Sequence, residues 1–185
     1  MAAVIALLRA VNVGGTGKLP MAELRAMCVA EGYLKVQTYI ASGNVVFETK
    51  ASPTKVKAAL EARLSTFAGK SVGVIVRTAD EMNAVLKSNP FPKAAPNRTL
   101  VIFLDQPPKP DALEDLKHLK DEELRLGVRE IYVNYGDGMR ESKLVIPAAK
   151  FGTARNMNTV AKLAELAADL ERKAFCPASS TAARW

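Results

Sequence analysis

An α+β fold of two ferredoxin-like subdomains, β-α-β-β-α-β followed by β-α-β-β-α, is the architecture predicted by the order of apolar runs and helix signals. Three observations carry it. The apolar run Ala3–Leu8 precedes a proline-led helix start at Pro20; two short β-branched runs flank Ser42-Gly43-Asn44; and the same order partly recurs after a proline-rich stretch.

Taken in order, Ala3–Leu8 reads as a buried strand, and Pro20 opens a helix that Gly32 ends, following the preference for proline at a helix start and glycine past its end. Val36–Ile40 and Val45–Glu48 form a hairpin around the glycine-containing loop. Pro53 opens a second helix with Val56, Leu60, Leu64 and Phe67 at helical spacing, and Val72–Arg77 is the fourth strand. A short helix, Ala79–Lys87, ends the first subdomain (residues 1–88), and the prolines of residues 89–98 mark a linker. The second subdomain (residues 99–176) reads as a strand over Thr99–Leu104, then a helix led by Pro107-Pro108-Lys109-Pro110-Asp111 and running through Leu119. A hairpin of Glu130–Tyr135 and Arg140–Ile146 follows around Gly136-Asp137-Gly138, then a helix over Asn158–Arg172 with Val160, Leu163, Leu166 and Leu170 on one face. Residues 177–185 are expected to be a loose tail.

With 185 residues the chain can bury one sizeable core or two small ones. No apolar stretch approaches the roughly 20 residues of a membrane span, and no positive residue precedes the apolar start, so a cytoplasmic protein is expected. Cys28 and Cys176 are the only cysteines, too few for a disulfide framework and without zinc-site spacing. The net charge of +7 is concentrated: residues 50–98 hold nine Lys or Arg against three acids. Such a stretch is either a solvated helix face or an attraction for polyanions. Phe67 and Phe91 are its only aromatics, which gives base stacking little to work with.

The candidate chemistry lies in three segments. Arg9-Ala10-Val11-Asn12-Val13-Gly14-Gly15-Thr16-Gly17-Lys18 is a glycine-rich strand-to-helix turn. Such a turn either serves positive φ or aims N–H groups and a lysine at an anion. It fits neither the P-loop nor the dinucleotide pattern, because Asn12, Leu19 and Pro20 stand where those require other residues. In a β-α-β-β-α-β unit the first two strands run parallel, so this loop emerges beside Ser42, Gly43 and Asn44, with Gly69 and Lys70 on the same edge. The third segment, Gly152 to Thr159, holds Arg155 among Asn156, Asn158 and two threonines. It is read either as helix capping or as an arginine clamp on a carboxylate or phosphate. His118 is the only histidine and sits among acids and lysines, which removes histidine-based triads. The lack of an acid–base pair argues against a hydrolase, and no motif names a cofactor or a metal.

Together these segments resemble one family. Leu8-Arg9-Ala10-Val11-Asn12-Val13-Gly14-Gly15 with Lys18 and Pro20-Met21-Ala22-Glu23-Leu24 is similar to its opening. Thr38-Tyr39-Ile40-Ala41-Ser42-Gly43-Asn44-Val45-Val46-Phe47 resembles its hairpin, and Thr153-Ala154-Arg155-Asn156-Met157-Asn158-Thr159-Val160 its C-terminal motif. The family is the bacterial domain of unknown function 1697. The resemblance implies a two-subdomain α+β fold and brings no established activity, cofactor or catalytic residue. The chain departs from the family pattern at Ala10, Ala41 and Met157, where Gly, Gln and Trp are common, so no amide at 41 or indole at 157 is available.

The leading functional expectation is a small anionic, phosphate-bearing ligand held by Arg9, Asn12, Gly14, Gly15, Lys18, Ser42, Gly43, Asn44, Arg155, Asn156 and Asn158. The alternatives are an RNA- or DNA-binding module using residues 50–98, and a protein-interaction or structural module.

Overall fold

The computed structural model describes residues 1–12 and 18–175. It has two four-stranded antiparallel sheets and four α-helices. The first sheet contains β1 (Ala2–Leu8), β2 (Leu34–Tyr39), β3 (Asn44–Thr49) and β4 (Val74–Thr78), in the order β2-β3-β1-β4. α1 (Met21–Ala30) joins β1 to β2, and α2 (Pro53–Ala68) joins β3 to β4. Ser52 caps α2 ahead of Pro53, and Gly69 ends it at φ 65°, a left-handed conformation that glycine adopts without a Cβ penalty. α3 (Ala79–Lys87) starts with a reciprocal capping box between Thr78 and Glu81.

The inner strands of this sheet are covered on both faces, which is why Ala3–Leu8 is apolar without alternation. Val4, Ala6 and Leu8 pack with Leu24 and Cys28 of α1 and Val56, Leu60 and Leu64 of α2. Ala3, Ile5 and Leu7 face the other way, onto Ala79, Met82 and Val85 of α3. Burial raises the Cys28 thiol from its ordinary 9.0 to about 12, so it behaves as a small core hydrophobe.

The second sheet contains β5 (Thr99–Phe103), β6 (Glu123–Leu126), β7 (Glu130–Asn134) and β8 (Thr153–Asn156), in the order β6-β7-β5-β8. The last helix, α4 (Met157–Phe175), begins directly after β8, and its first turn is capped by Asn156, whose Oδ1 accepts from the Thr159 amide at 2.9 Å. Val160, Leu163, Ala167 and Leu170 of α4 join Ile5, Leu7, Val46, Val101 and Phe103 in one cluster. The C-terminal helix therefore lies against the first sheet as well as its own, and the core is continuous across residues 89–98. The tail, residues 177–185, and Cys176 lie outside the described residues.

The second half departs from the expected β-α-β-β-α order. No helix forms between Pro107 and Leu119, where the chain runs through successive turns. Pro108 and Pro110 push the residues before them, Pro107 and Lys109, out of the helical region. His118, at φ 58°, breaks any continuation. Arg140–Ile146 is not a strand either; only Val145 makes an isolated bridge, to Lys117. β7 instead pairs with β6, across a turn at Gly127. The expected β-α-β-β-α order has no strand at β8, a segment read only as helix capping or as an arginine clamp. Its inward members, Thr153 and Arg155, are buried polar groups rather than apolar ones.

Candidate functional site

Because β1 and β2 are both antiparallel to β3, the connections after them emerge together. The Leu8 amide donates to the Gly43 carbonyl at 2.8 Å, and the Arg9 amide donates to the Gly73 carbonyl at 2.9 Å. The expected convergence of the two turns, with the start of β4 beside them, is thus present in the backbone. Gly43 sits at φ 78°, and a Cβ there would run into Val11 Cγ2 and lie 2.8 Å from Leu8 Cβ. Only glycine lets the hairpin close this tightly on the β1 connection. Ala10, Asn12 and Ile40 also adopt positive φ, at 51°, 56° and 50°. For the β-branched Ile40 that is a strained conformation, costing on the order of 1–3 kcal/mol.

The polar side chains of this edge are mostly spent on the protein itself. Asn12 Nδ2 donates to the Leu19 carbonyl at 2.9 Å and the Ala41 carbonyl at 2.7 Å, while Oδ1 accepts from the Leu19 amide at 2.8 Å. It clips the two ends of the glycine-rich loop to the hairpin. Asn44, fully buried, donates to the Tyr39 carbonyl at 2.9 Å and to Ser42 Oγ at 3.0 Å. Asn156 is the α4 cap, and Asn158 is exposed on the first turn of α4. Gly14 and Gly15 lie outside the described residues.

Arg155 is turned inward. It is 7% exposed, and its guanidinium reaches across to the first half. Nε donates to Asn44 Oδ1; Nη1 donates to Thr153 Oγ1 and to the Ala154 carbonyl, both at 2.8 Å. Nη2 donates to the Leu8, Ser42 and Gly43 carbonyls at 2.9, 3.0 and 3.3 Å. All five N–H donors of the fork are used, so none remains to grip a ligand. Every acceptor is a neutral amide or hydroxyl, and among the described residues no carboxylate forms an ion pair with it. Burial lowers its pKa to about 10, which leaves it charged at neutral pH. A full positive charge therefore stands just behind this edge.

Beside Ala10 and Val11 of the β1 connection, Lys18 and Lys70 line an apolar pocket of about 220 Å³ together with Leu19, Leu64, Phe67 and Val72. Phe67, expected in the helix core stripe, is 47% exposed for this reason. Lys70, which topology places on the same edge, lines the pocket beside Lys18. Arg9 turns away from this pocket: its Nη2 donates to the Lys150 carbonyl at 2.7 Å, and its guanidinium lies 5.2 Å from the Phe151 ring centre.

An α+β protein with two antiparallel four-stranded sheets and a glycine-closed, cationic edge on the first is what these observations define. The family model described as "Protein of unknown function (DUF1697)" matches residues 1–132, and the chain belongs to that family. The segment around Arg155 lies beyond those matched residues. Among solved structures, the chain is similar to the conserved bacterial protein SP0830 from Streptococcus pneumoniae. Identity is 26% with a TM-score of 0.76, over 91% of this chain and 99% of that one. No curated protein matches. No helix of the described residues is long and apolar enough to cross a membrane.

Proposed function

We propose that this protein binds a small anionic, phosphate-bearing molecule in the bacterial cytoplasm, at the edge of a ferredoxin-like first half where Lys18 and Lys70 meet. The order β4-β1-β3-β2, antiparallel throughout, with α1 and α2 on one face, supports the ferredoxin-like description. The observations that carry the ligand class are the pocket lined by Lys18 and Lys70 and, at the same sheet edge, the charge of Arg155, which has no carboxylate partner among the described residues. A fixed buried charge makes the potential of a concave surface more favourable to an anion than exposed lysines alone achieve. Lys18 and Lys70 supply direct contacts, Leu19, Leu64 and Phe67 take the ligand's apolar part, and Asn12 and Arg155 are positioning residues.

The polyanion alternative loses ground on the same residues. Of the nine cations in residues 50–98, Lys57 is engaged by Asp105, Arg63 by Glu31 and Arg98 by Asp137, and Arg77 is buried. A thermal-shift screen with sugar phosphates, nucleotides and short oligonucleotides tests the reading. Wild type is expected to be stabilised by a small phosphate compound, by about 2.7 kcal/mol at 100 times its dissociation constant, and Lys18→Ala and Lys70→Ala to lose that shift. Stabilisation by oligonucleotides alone, or an unchanged shift in both variants, overturns it.

A further inference from the structure

The pocket beside Lys18 and Lys70 is apolar almost throughout. Leu60 and Leu64 of α2 are buried in the cluster that packs on the first sheet, but Phe67, further along the same helical stripe, stays outside it and exposed. Gly69, at φ 65°, turns the chain back at the end of α2, so that Lys70 and Val72 line the same hollow as Leu64 and Ala68. Among the described residues, the two lysines are the only lining side chains that can form a hydrogen bond. Neither is in an ion pair with a described residue.

We infer that this pocket takes a short-chain aliphatic phosphate monoester, an inference that rests on the anion-binding reading of the same pocket. Two ammonium groups match the double charge of a monoester phosphate, whose second pKa is about 6; a sulfate ester or a carboxylate brings one charge only. Beyond the two lysines, no described lining side chain can answer a ribose hydroxyl or a base edge, and a polar group buried unpaired weakens binding. An aliphatic chain meets Leu19, Leu64 and Val72 without that cost, and the exposed Phe67 ring adds a further apolar contact. The volume sets the length. A pocket of about 220 Å³ is the share of about seven water molecules, which gives room for a chain of about six or seven carbons and none for a diacyl lipid.

Calorimetric titration of the full chain, at mildly alkaline pH, with inorganic phosphate and with methyl, butyl, hexyl, octyl and decyl phosphate tests this. Affinity is expected to rise roughly two- to fourfold per methylene as far as hexyl phosphate, and to level off from octyl phosphate onward. Glycerol 3-phosphate is expected to bind no more tightly than methyl phosphate, and hexyl sulfate roughly threefold or more weakly than hexyl phosphate. Ala68→Leu, a change at an exposed position of α2 that fills the hollow, is expected to leave hexyl phosphate no tighter than inorganic phosphate. Lys18→Ala/Lys70→Ala is expected to weaken every phosphate compound together. Inorganic phosphate held by the two lysines with no gain from the chain overturns this inference and leaves the anion site standing; no binding of any compound overturns both. Affinity that keeps rising through decyl phosphate, glycerol 3-phosphate equal to butyl phosphate, hexyl sulfate equal to hexyl phosphate, or a chain gain that survives Ala68→Leu each overturns the assignment.

Discussion

Two buried arginines cross the contact between the halves in opposite directions, and they differ in what balances them. Arg77, on β4 in the first half, donates through Nη2 to the Leu104 carbonyl at 2.7 Å and the Arg129 carbonyl at 3.0 Å in the second. Arg155, on β8 in the second, donates to the Leu8, Ser42 and Gly43 carbonyls in the first. Burial, then the neighbouring Arg129, lowers the Arg77 pKa to about 10, while Glu81, Glu130 and Asp105 oppose the shift. Arg155 has only burial acting on it. Neither guanidinium is in an ion pair among the described residues, but Glu81, Glu130 and Asp105 act on the first, whereas the second leaves its charge unopposed at the glycine-closed edge. An arginine among polar residues is thus read correctly only from its acceptors, and those in the first half lie 111 to 147 residues away in the chain.

The largest expected effect comes from removing the second arginine. Arg155→Met leaves buried carbonyls and Asn44 without their donor, so about 4 kcal/mol of stability is expected to be lost, read by urea unfolding. Arg155→Lys is not expected to rescue it, because a single ammonium cannot reproduce the fork. Arg77→Met is expected to cost about 3 kcal/mol in the same assay, and the double variant the sum within about 0.5 kcal/mol. The strand positions facing the two arginines, Leu8 and Ile5, are three residues, or about 10 Å, apart on β1. A strongly non-additive double variant would mean that the two ends are one network.

Next in size, Gly43→Ala drives a methyl into Val11 and Leu8 at positive φ, with an expected loss of about 2 kcal/mol. The same change displaces the carbonyls that hold Arg155. A smaller effect separates the two arginines by charge: at equal ionic strength, phosphate is expected to stabilise wild type more than chloride does. The difference, on the order of 1 kcal/mol, is expected to vanish in Lys18→Ala/Lys70→Ala and persist in variants around Arg77, such as Glu81→Gln. The smallest effect calibrates burial without charge. Folding holds the Cys28 proton up to about 12 while the unfolded chain loses it near 9.0. The folded state therefore binds more protons between those values, and stability falls as pH rises through that window. Cys28→Ala is expected to flatten that decline in alkaline denaturation curves.

Much of the first half was legible in the sequence because its rules are local. Pro20 and Pro53 mark helix starts, Gly32 and Gly69 mark ends, and Ala3–Leu8 is apolar throughout because helices cover both faces of β1. The second half was not, because its structure depends on distant partners. β8 is a strand by virtue of pairing with β5, a pairing that Thr153-Ala154-Arg155-Asn156 does not announce. Residues 107–119 carry proline and aspartate, which signal a helix start, yet the chain packs Leu113 and Leu116 against the second sheet's cluster from successive turns. The candidate site divides in the same way. Convergence of the β1 and β2 connections follows from topology, whereas the inward turn of Arg155, the deflection of Arg9 to Phe151 and the meeting of Lys18 with Lys70 depend on residues distant in the chain.

The measurement that goes most directly to the uncompensated edge is a titration of the isotopically labelled protein with inorganic phosphate, followed by backbone amide resonances. The expected result is saturable movement confined to the surroundings of Ala10, Val11, Lys18, Leu19, Lys70 and Val72, abolished in Lys18→Ala/Lys70→Ala. Movement spread over Lys50, Lys55, Lys87 and Lys93 at the same phosphate concentration, or none at all, would contradict it.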